Sequence, residues 1–291
     1  MTDKPTPPPV DNEPAVEKLS LGPDFAVQLI DRLLGLLGKF LTVSLFHQLR
    51  DFSGKIAHWA VLVFAALAII SSLLAAVKMD SFALFAGGFG LLVAIIVLQY
   101  TSAKFLYAGT SLIRSTPTGL SSKAFTDCFA LVFLLAALGS LFGGISSAFA
   151  ADGLGPVIAL GGVVGFVGFG LLCWLCLQPE ITNTKIGKEV SSGEEAIGIV
   201  SFLIKGLLAL VPFIFTALVT LGSVALLLYS FLNPGASNFR EHAAADAYGL
   251  IGVQLGVGGL LLPFVSVLLF LLIYLIIDIV RSVLTIPHLK K

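Results

Sequence analysis

Gly161-Gly-Val-Val-Gly165-Phe-Val-Gly168-Phe-Gly170-Leu-Leu-Cys173-Trp-Leu-Cys176-Leu-Gln178 carries no charge; glycine crowds its first half and bulky side chains its second. A run of this length fits a helix crossing hydrocarbon, which needs about 20 apolar residues. Its middle recurs. Gly168-Phe-Gly170-Leu-Leu matches Gly88-Phe-Gly90-Leu-Leu, and more loosely Gly256-Val-Gly258-Gly-Leu-Leu. Each copy sits in the second apolar segment of a hydrophobic pair. The chain therefore reads as three such pairs in tandem, all-α, crossing a membrane six times.

Composition points the same way. Of 291 residues, 57% are hydrophobic and 12% charged, and the mean hydropathy is +1.01. A soluble domain carries about 25% charge, so this chain has too little polar surface to cover a globule in water. Its primary partner is the lipid bilayer. Seventeen basic residues balance seventeen acidic ones, which argues against a nucleic-acid partner. Cys173-Trp-Leu-Cys176 has redox spacing but lies in an apolar run with no preceding strand, and reads as two small side chains on one helix face. With Cys128 as the third cysteine, no disulfide framework is implied. The absence of an apolar run before residue 20 predicts no cleaved leader.

Outward from the glycine motifs, the chain divides as follows. Residues 1–24 hold six prolines among acidic residues, a composition that cannot bury enough apolar surface to order itself; a disordered tail is expected there, with a proline-rich docking motif as the alternative. Residues 25–50 repeat apolar side chains near every 3.6 positions, with Asp24 as N-cap. Lys39 would be costly in mid-bilayer, so the segment reads as an amphipathic helix lying in the interface, bent at Gly35 or Gly38. The transmembrane domain occupies 51–291, with hairpins at about 57–100, 125–177 and 206–277. Fifteen basic residues fall on the side of the two termini and only Lys78 and Arg240 on the other. This asymmetry predicts cytoplasmic termini, most simply in a bacterial inner membrane.

Glycines four apart, Gly139 with Gly143, Gly161 with Gly165 and Gly252 with Gly256, mark helix packing, because small residues let backbones approach where hydrophobic burial supplies no drive. Gly88, Gly90, Gly168, Gly170 and Gly258 extend this set. One reading has the second helices of the pairs converging around a pore; the other has the glycines packing within one subunit or between copies. Polar groups in or near the spans are Gln254, Asp127, Lys205 and Asp278. Position suggests interfacial capping for most of them, with a Lys205–Asp278 pair as the alternative. Pro212 and Pro263 should kink spans five and six. Trp59, Trp174, Tyr100 and Tyr248 fall near span ends, as an aromatic belt requires. His47, His58, His242 and His288 are scattered without metal-ligand spacing, and no cofactor loop or nucleophile elbow occurs. The expected function is non-enzymatic: a membrane scaffold or partner subunit, associating with itself or other membrane proteins. The alternative is a channel or secondary transporter with its path between the hairpins.

Overall fold

The computed structural model describes residues 25–150, 155–187, 191–235 and 239–285; the proline-rich segment before residue 25 lies outside them. It is 91% helical. Among the described residues are seven α-helices: α1 (Phe25–Phe40), α2 (Val43–Lys78), α3 (Phe82–Ser115), α4 (Ala124–Ala150), α5 (Gly155–Leu177), α6 (Ser192–Gly235) and α7 (Phe239–Thr285). Strands β1 (Thr118–Leu120) and β2 (Thr184–Ile186) form a two-stranded parallel ribbon. Helices α2 to α7 are all long and apolar enough to cross a bilayer. The chain is a multi-pass membrane protein of three helical hairpins, α2–α3, α4–α5 and α6–α7, with α1 in front. In hydrocarbon every backbone N–H and C=O must be satisfied within the segment, and these apolar runs do so as helices in spite of their glycines and of Pro212 and Pro263.

Helix ends depart from the sequence expectation in three places. The helix expected over 25–50 is broken at Leu41–Thr42, not bent at Gly35 or Gly38. Thr42 takes extended dihedrals, and its Oγ1 accepts a hydrogen bond from Leu45 N at 3.3 Å. It caps a new helix that continues unbroken into the first span. Lys39 thereby falls in the last turn of α1, where a cation faces the carbonyl end of the helix dipole. Second, the polar stretch after span two is largely helix, since α3 runs on to Ser115. Third, the loop expected around Asn233 and Arg240 is taken up by α6 and α7, which reach Gly235 and start at Phe239. With 44 residues, α6 is about 66 Å long at 1.5 Å per residue, so it projects well beyond a hydrocarbon core of about 30 Å.

Hairpins α2–α3 and α6–α7 form one bundle, packed in parallel: α2 lies on α6 and α3 on α7. Hydroxyls seven residues apart on α6 stitch the first contact. Thr216 Oγ1 bonds Ser53 (Oγ at 2.7 Å, O at 3.1 Å), Ser223 Oγ donates to Ala60 O at 3.1 Å, and Ser230 meets Ser71 at 3.3 Å. The second contact joins Ser102 Oγ to Leu260 O, Phe105 edge-on to Phe264 at 5.0 Å, and Gly109 to Leu208 and Val267. Within the α6–α7 hairpin, a Cβ on Gly222 would stand 2.7 Å from Gly256 N. Gly256 in turn leaves the space that Phe64 of α2 fills.

Hairpin α4–α5 closes on itself. A Cβ on Gly144 would lie 2.5 Å from Gly162 Cα, and Gly165 faces Ser140. It joins the rest through one end, where Ala130, Cys173 and Cys176 pack with Leu34 of α1 and Phe202 of α6. Gln178 Nε2 also donates to Gly38 O at 2.9 Å. Of the two readings of the glycines, packing within the subunit is the one seen, and the three second helices do not converge: α3 and α7 meet, while α5 is engaged with α4. Among the described residues, α4–α5 stands beside the four-helix bundle and meets it mainly at one end.

The close approach generates a prediction. Gly144→Leu, which must displace Gly162 backbone, should destabilise the hairpin by about 1–3 kcal/mol, the usual cost of overpacking. Gly143→Leu, with nothing within 4 Å of its Cβ position, should leave thermal unfolding in detergent unchanged. Equal melting temperatures for the two variants would contradict this packing.

Candidate functional site

The sites with chemistry gather at one end of the bundle, which holds the first turns of α2, α4 and α6 and the last turns of α3, α5 and α7. Most of the basic side chains are there, and it is called the basic end below. Helix α6 starts from a capping box: Glu194 N donates to Ser191 Oγ at 3.3 Å and Ser191 N to Glu194 Oε2 at 3.1 Å. The neighbouring Glu195 accepts from Ser121 N at 2.7 Å, which fixes the end of β1 against α6. Gly198 completes the fit, because a Cβ there would stand 2.6 Å from Gly119 O.

Lys205, three turns further on, is fully buried, at 0% exposure. Its Nζ donates to Thr116 O, just past the end of α3, and to Thr118 Oγ1 at 2.5 Å. Thr118 Oγ1 lies 3.2 Å from Thr184 Oγ1, which lies 2.9 Å from Thr182 Oγ1. Thr182 donates onward to Pro179 O at 2.8 Å. All three threonines are buried. Asn183, at φ 52°, uses its Nδ2 to bond Arg114 O at 2.7 Å and so caps α3. The linkers after the first two hairpins thus share one polar knot, and the ribbon pairs Thr118 with Thr184 and Leu120 with Ile186.

The ammonium is placed where a helix end presents carbonyl oxygens, the favourable site for a cation. Burying it would be costly without these bonds, and together they make Lys205 a pin for the two linkers. The interfacial snorkelling expected of Lys205 is therefore corrected. So is its pairing with Asp278, which is exposed and lies 3.9 Å from Arg281.

Beside the knot is an inner cavity of about 40 Å³ between α2, α3, α6 and α7. At about 10–15 Å³ per water, it has room for a few waters and no larger ligand. His47, Arg50, Thr110 and Arg114 line it on the polar side, and Pro212 and Pro263 on the apolar side. The two prolines expected to kink their helices thus face one space. The oxygen of Pro212 accepts from Thr216 Oγ1 at 2.7 Å and from Ser53 Oγ at 3.3 Å.

The other residues singled out by sequence are spread apart. Gln254 is exposed on α7 and does not face the bundle interior, and Asp127 is half-buried in the first turn of α4. Gly88 packs on Ser72, and Gly252 on Leu226 and Gly222 O. Gly90, Gly161, Gly168, Gly170 and Gly258 have nothing within 4 Å of a Cβ position. Trp174 is not a belt residue: it is buried, with its ring edge-on to Phe46 at 5.5 Å. Trp59, by contrast, is 68% exposed. Cys173 and Cys176 are both buried as free thiols.

Compared with family models, curated proteins and solved structures, the chain matches none.

Removing the pin should loosen the knot before it unfolds the bundle. Lys205→Met strands the Thr116 carbonyl, at a cost of about 1–3 kcal/mol for a buried unpaired group, and leaves Thr118 Oγ1 only its bond to Thr184. Local opening of the ribbon should then rise about tenfold or more. A reporter thiol introduced by Leu120→Cys, at a position 1% exposed, should react with a soluble maleimide faster by that factor in the Lys205→Met background. An unchanged labelling rate would rule out the pin.

Proposed function

We propose that the protein is a non-catalytic membrane scaffold or partner subunit, and that hairpin α4–α5 is the part that receives other helices. One observation carries this reading: the hairpin is tightly closed on one side and open on the other. Gly144, Gly162 and Gly165 are used up between α4 and α5, whereas Gly139 and Gly143 on α4 and Gly161 and Gly168 on α5 face open space. Exposed Phe142, Val164 and Phe166 flank them. In lipid, small residues beside bulky ones are where a further helix can approach closely. The four-helix bundle, with its hydroxyl ladder, supplies the rigid body to which this hairpin is attached.

The basic end belongs in the cytoplasm on this reading, since basic residues collect on the cytoplasmic side of membrane proteins; the bacterial inner membrane is the compartment we assign. The hairpins descend from one repeated unit. In support, Thr116-Pro-Thr118-Gly-Leu120 and Thr182-Asn-Thr184-Lys-Ile186 follow the first and second hairpins and pair in register. A second reading, a channel or secondary transporter, is favoured by the cavity between Pro212 and Pro263 with its basic lining. At about 40 Å³ that cavity is too small for a solute larger than water, so the scaffold reading ranks first.

Crosslinking in native membranes separates the two. With the three native cysteines replaced, a Gly143→Cys variant treated with a short bismaleimide should give adducts with a second copy or with another membrane protein. Adding Gly139→Leu, which fills the open face, should reduce the adducts severalfold. Monomer alone, together with solute flux in liposomes holding the purified protein, would overturn the scaffold in favour of transport.

A further inference from the structure

A cleft of about 690 Å³ opens at the basic end between α2 and α3. Arg50, Lys55 and His58 of α2 and Arg114 of α3 line it, with Trp59 and Tyr107 at its rim. The one carboxylate in its lining is Asp51, 3.6 Å from Arg50. Three permanent cations against one anion leave the cleft two positive charges in excess. His47 lines the neighbouring inner cavity beside Arg50 and Arg114, and its Nδ1 is buried with no hydrogen-bond partner. An excess of cations in a concave site selects an anion, and the Arg pair offers the fork geometry that phosphate accepts.

The cleft does not end at the charges. Lys55 and Trp59 also line an apolar groove of about 600 Å³ between α2 and α6, walled by Phe52, Ile56, Val63 and Leu227. Trp59 is 68% exposed and Tyr107 78% exposed, and aromatic rings of this kind sit at the level of lipid headgroups. A basic cleft at that level, sharing a wall with an apolar groove that runs into the membrane, is complementary to one kind of molecule.

The geometry points to a specific site for an anionic phospholipid: its phosphate is held by Arg50, Lys55 and Arg114, and one acyl chain lies over Trp59 in the α2–α6 groove. The site is distinct from the open face of α4–α5 and does not depend on the scaffold reading. It ties α2 to α3 at the basic end, where Gln99 and His58 meet in a long bond of 3.3 Å. A zwitterionic lipid offers the same phosphate but brings its own cation into a cleft already rich in them.

Tryptophan quenching tests this on the full chain. In a Trp174→Phe background, Trp59 is the remaining indole. Reconstituted with brominated lipid, it should be quenched more by brominated phosphatidylglycerol than by brominated phosphatidylcholine at equal mole fraction. Each cation near a membrane surface contributes about fivefold in binding. Arg50→Gln with Arg114→Gln should therefore cut the preference by an order of magnitude or more. Lys55→Gln, at an exposed position, should cut it by about fivefold and serves if the double variant does not fold. Equal quenching by both lipids, the result for annular lipid only, would overturn the site. So would a preference that survives these substitutions.

Discussion

Helices surrounded by lipid gain almost nothing by hiding apolar surface from one another, so whatever holds them together must come from close backbone approach or from polar bonds. This constraint explains where the molecule is tight and where it is loose. Phe64 is wholly buried in the space that Gly256 leaves. Thr216, Ser223 and Ser230 spend their hydroxyls on α2 at intervals of seven residues, the period of helices that wrap with a shallow left-handed crossing. The four-helix bundle has both resources along its length. Hairpin α4–α5 has the first internally and meets the others mainly at its basic end.

The two ends of the bundle also differ in kind. At the basic end the linkers fold back, pair as strands and are pinned by a buried ammonium. Outside hydrocarbon, irregular backbone is tolerated, and a short ribbon there satisfies groups that a helix would have satisfied within the membrane. At the other end of the first hairpin a single tight turn suffices, with Asp80 at φ 45° and Ser81 N bonded back to Ala76 O at 3.0 Å. Among the described residues, the paired strands and the 3₁₀ turn all lie at the basic end.

What was legible in the sequence followed from the bilayer as solvent. Six apolar runs, the pairing into hairpins and the charge asymmetry needed only counting. The glycines were legible as packing residues, but not which ones pack. Gly161 with Gly165 stood out by spacing, yet Gly162 is the one that touches Gly144, because a helix face is chosen by its partner as well as by its own pattern. The hydroxyl ladder was written in the seven-residue spacing of Thr216, Ser223 and Ser230, but small hydroxyl residues are unremarked in apolar runs until a parallel partner is known. Lys205 misled because depth along a span says nothing about which side chains of a distant linker fold over it. The break at Thr42 was available as a cap signal, masked by apolar periodicity running through it.

The central claim is six crossings of a bilayer with all the linkers of the basic end on one side. Single cysteines at Lys55, Lys185 and Asp80, introduced one at a time into a chain without native cysteines, can be labelled by a membrane-impermeant maleimide in sealed right-side-out and inverted vesicles. The account predicts that Lys55→Cys and Lys185→Cys react in one orientation of vesicle and Asp80→Cys only in the other. Labelling of Asp80→Cys and Lys185→Cys from the same side would contradict it.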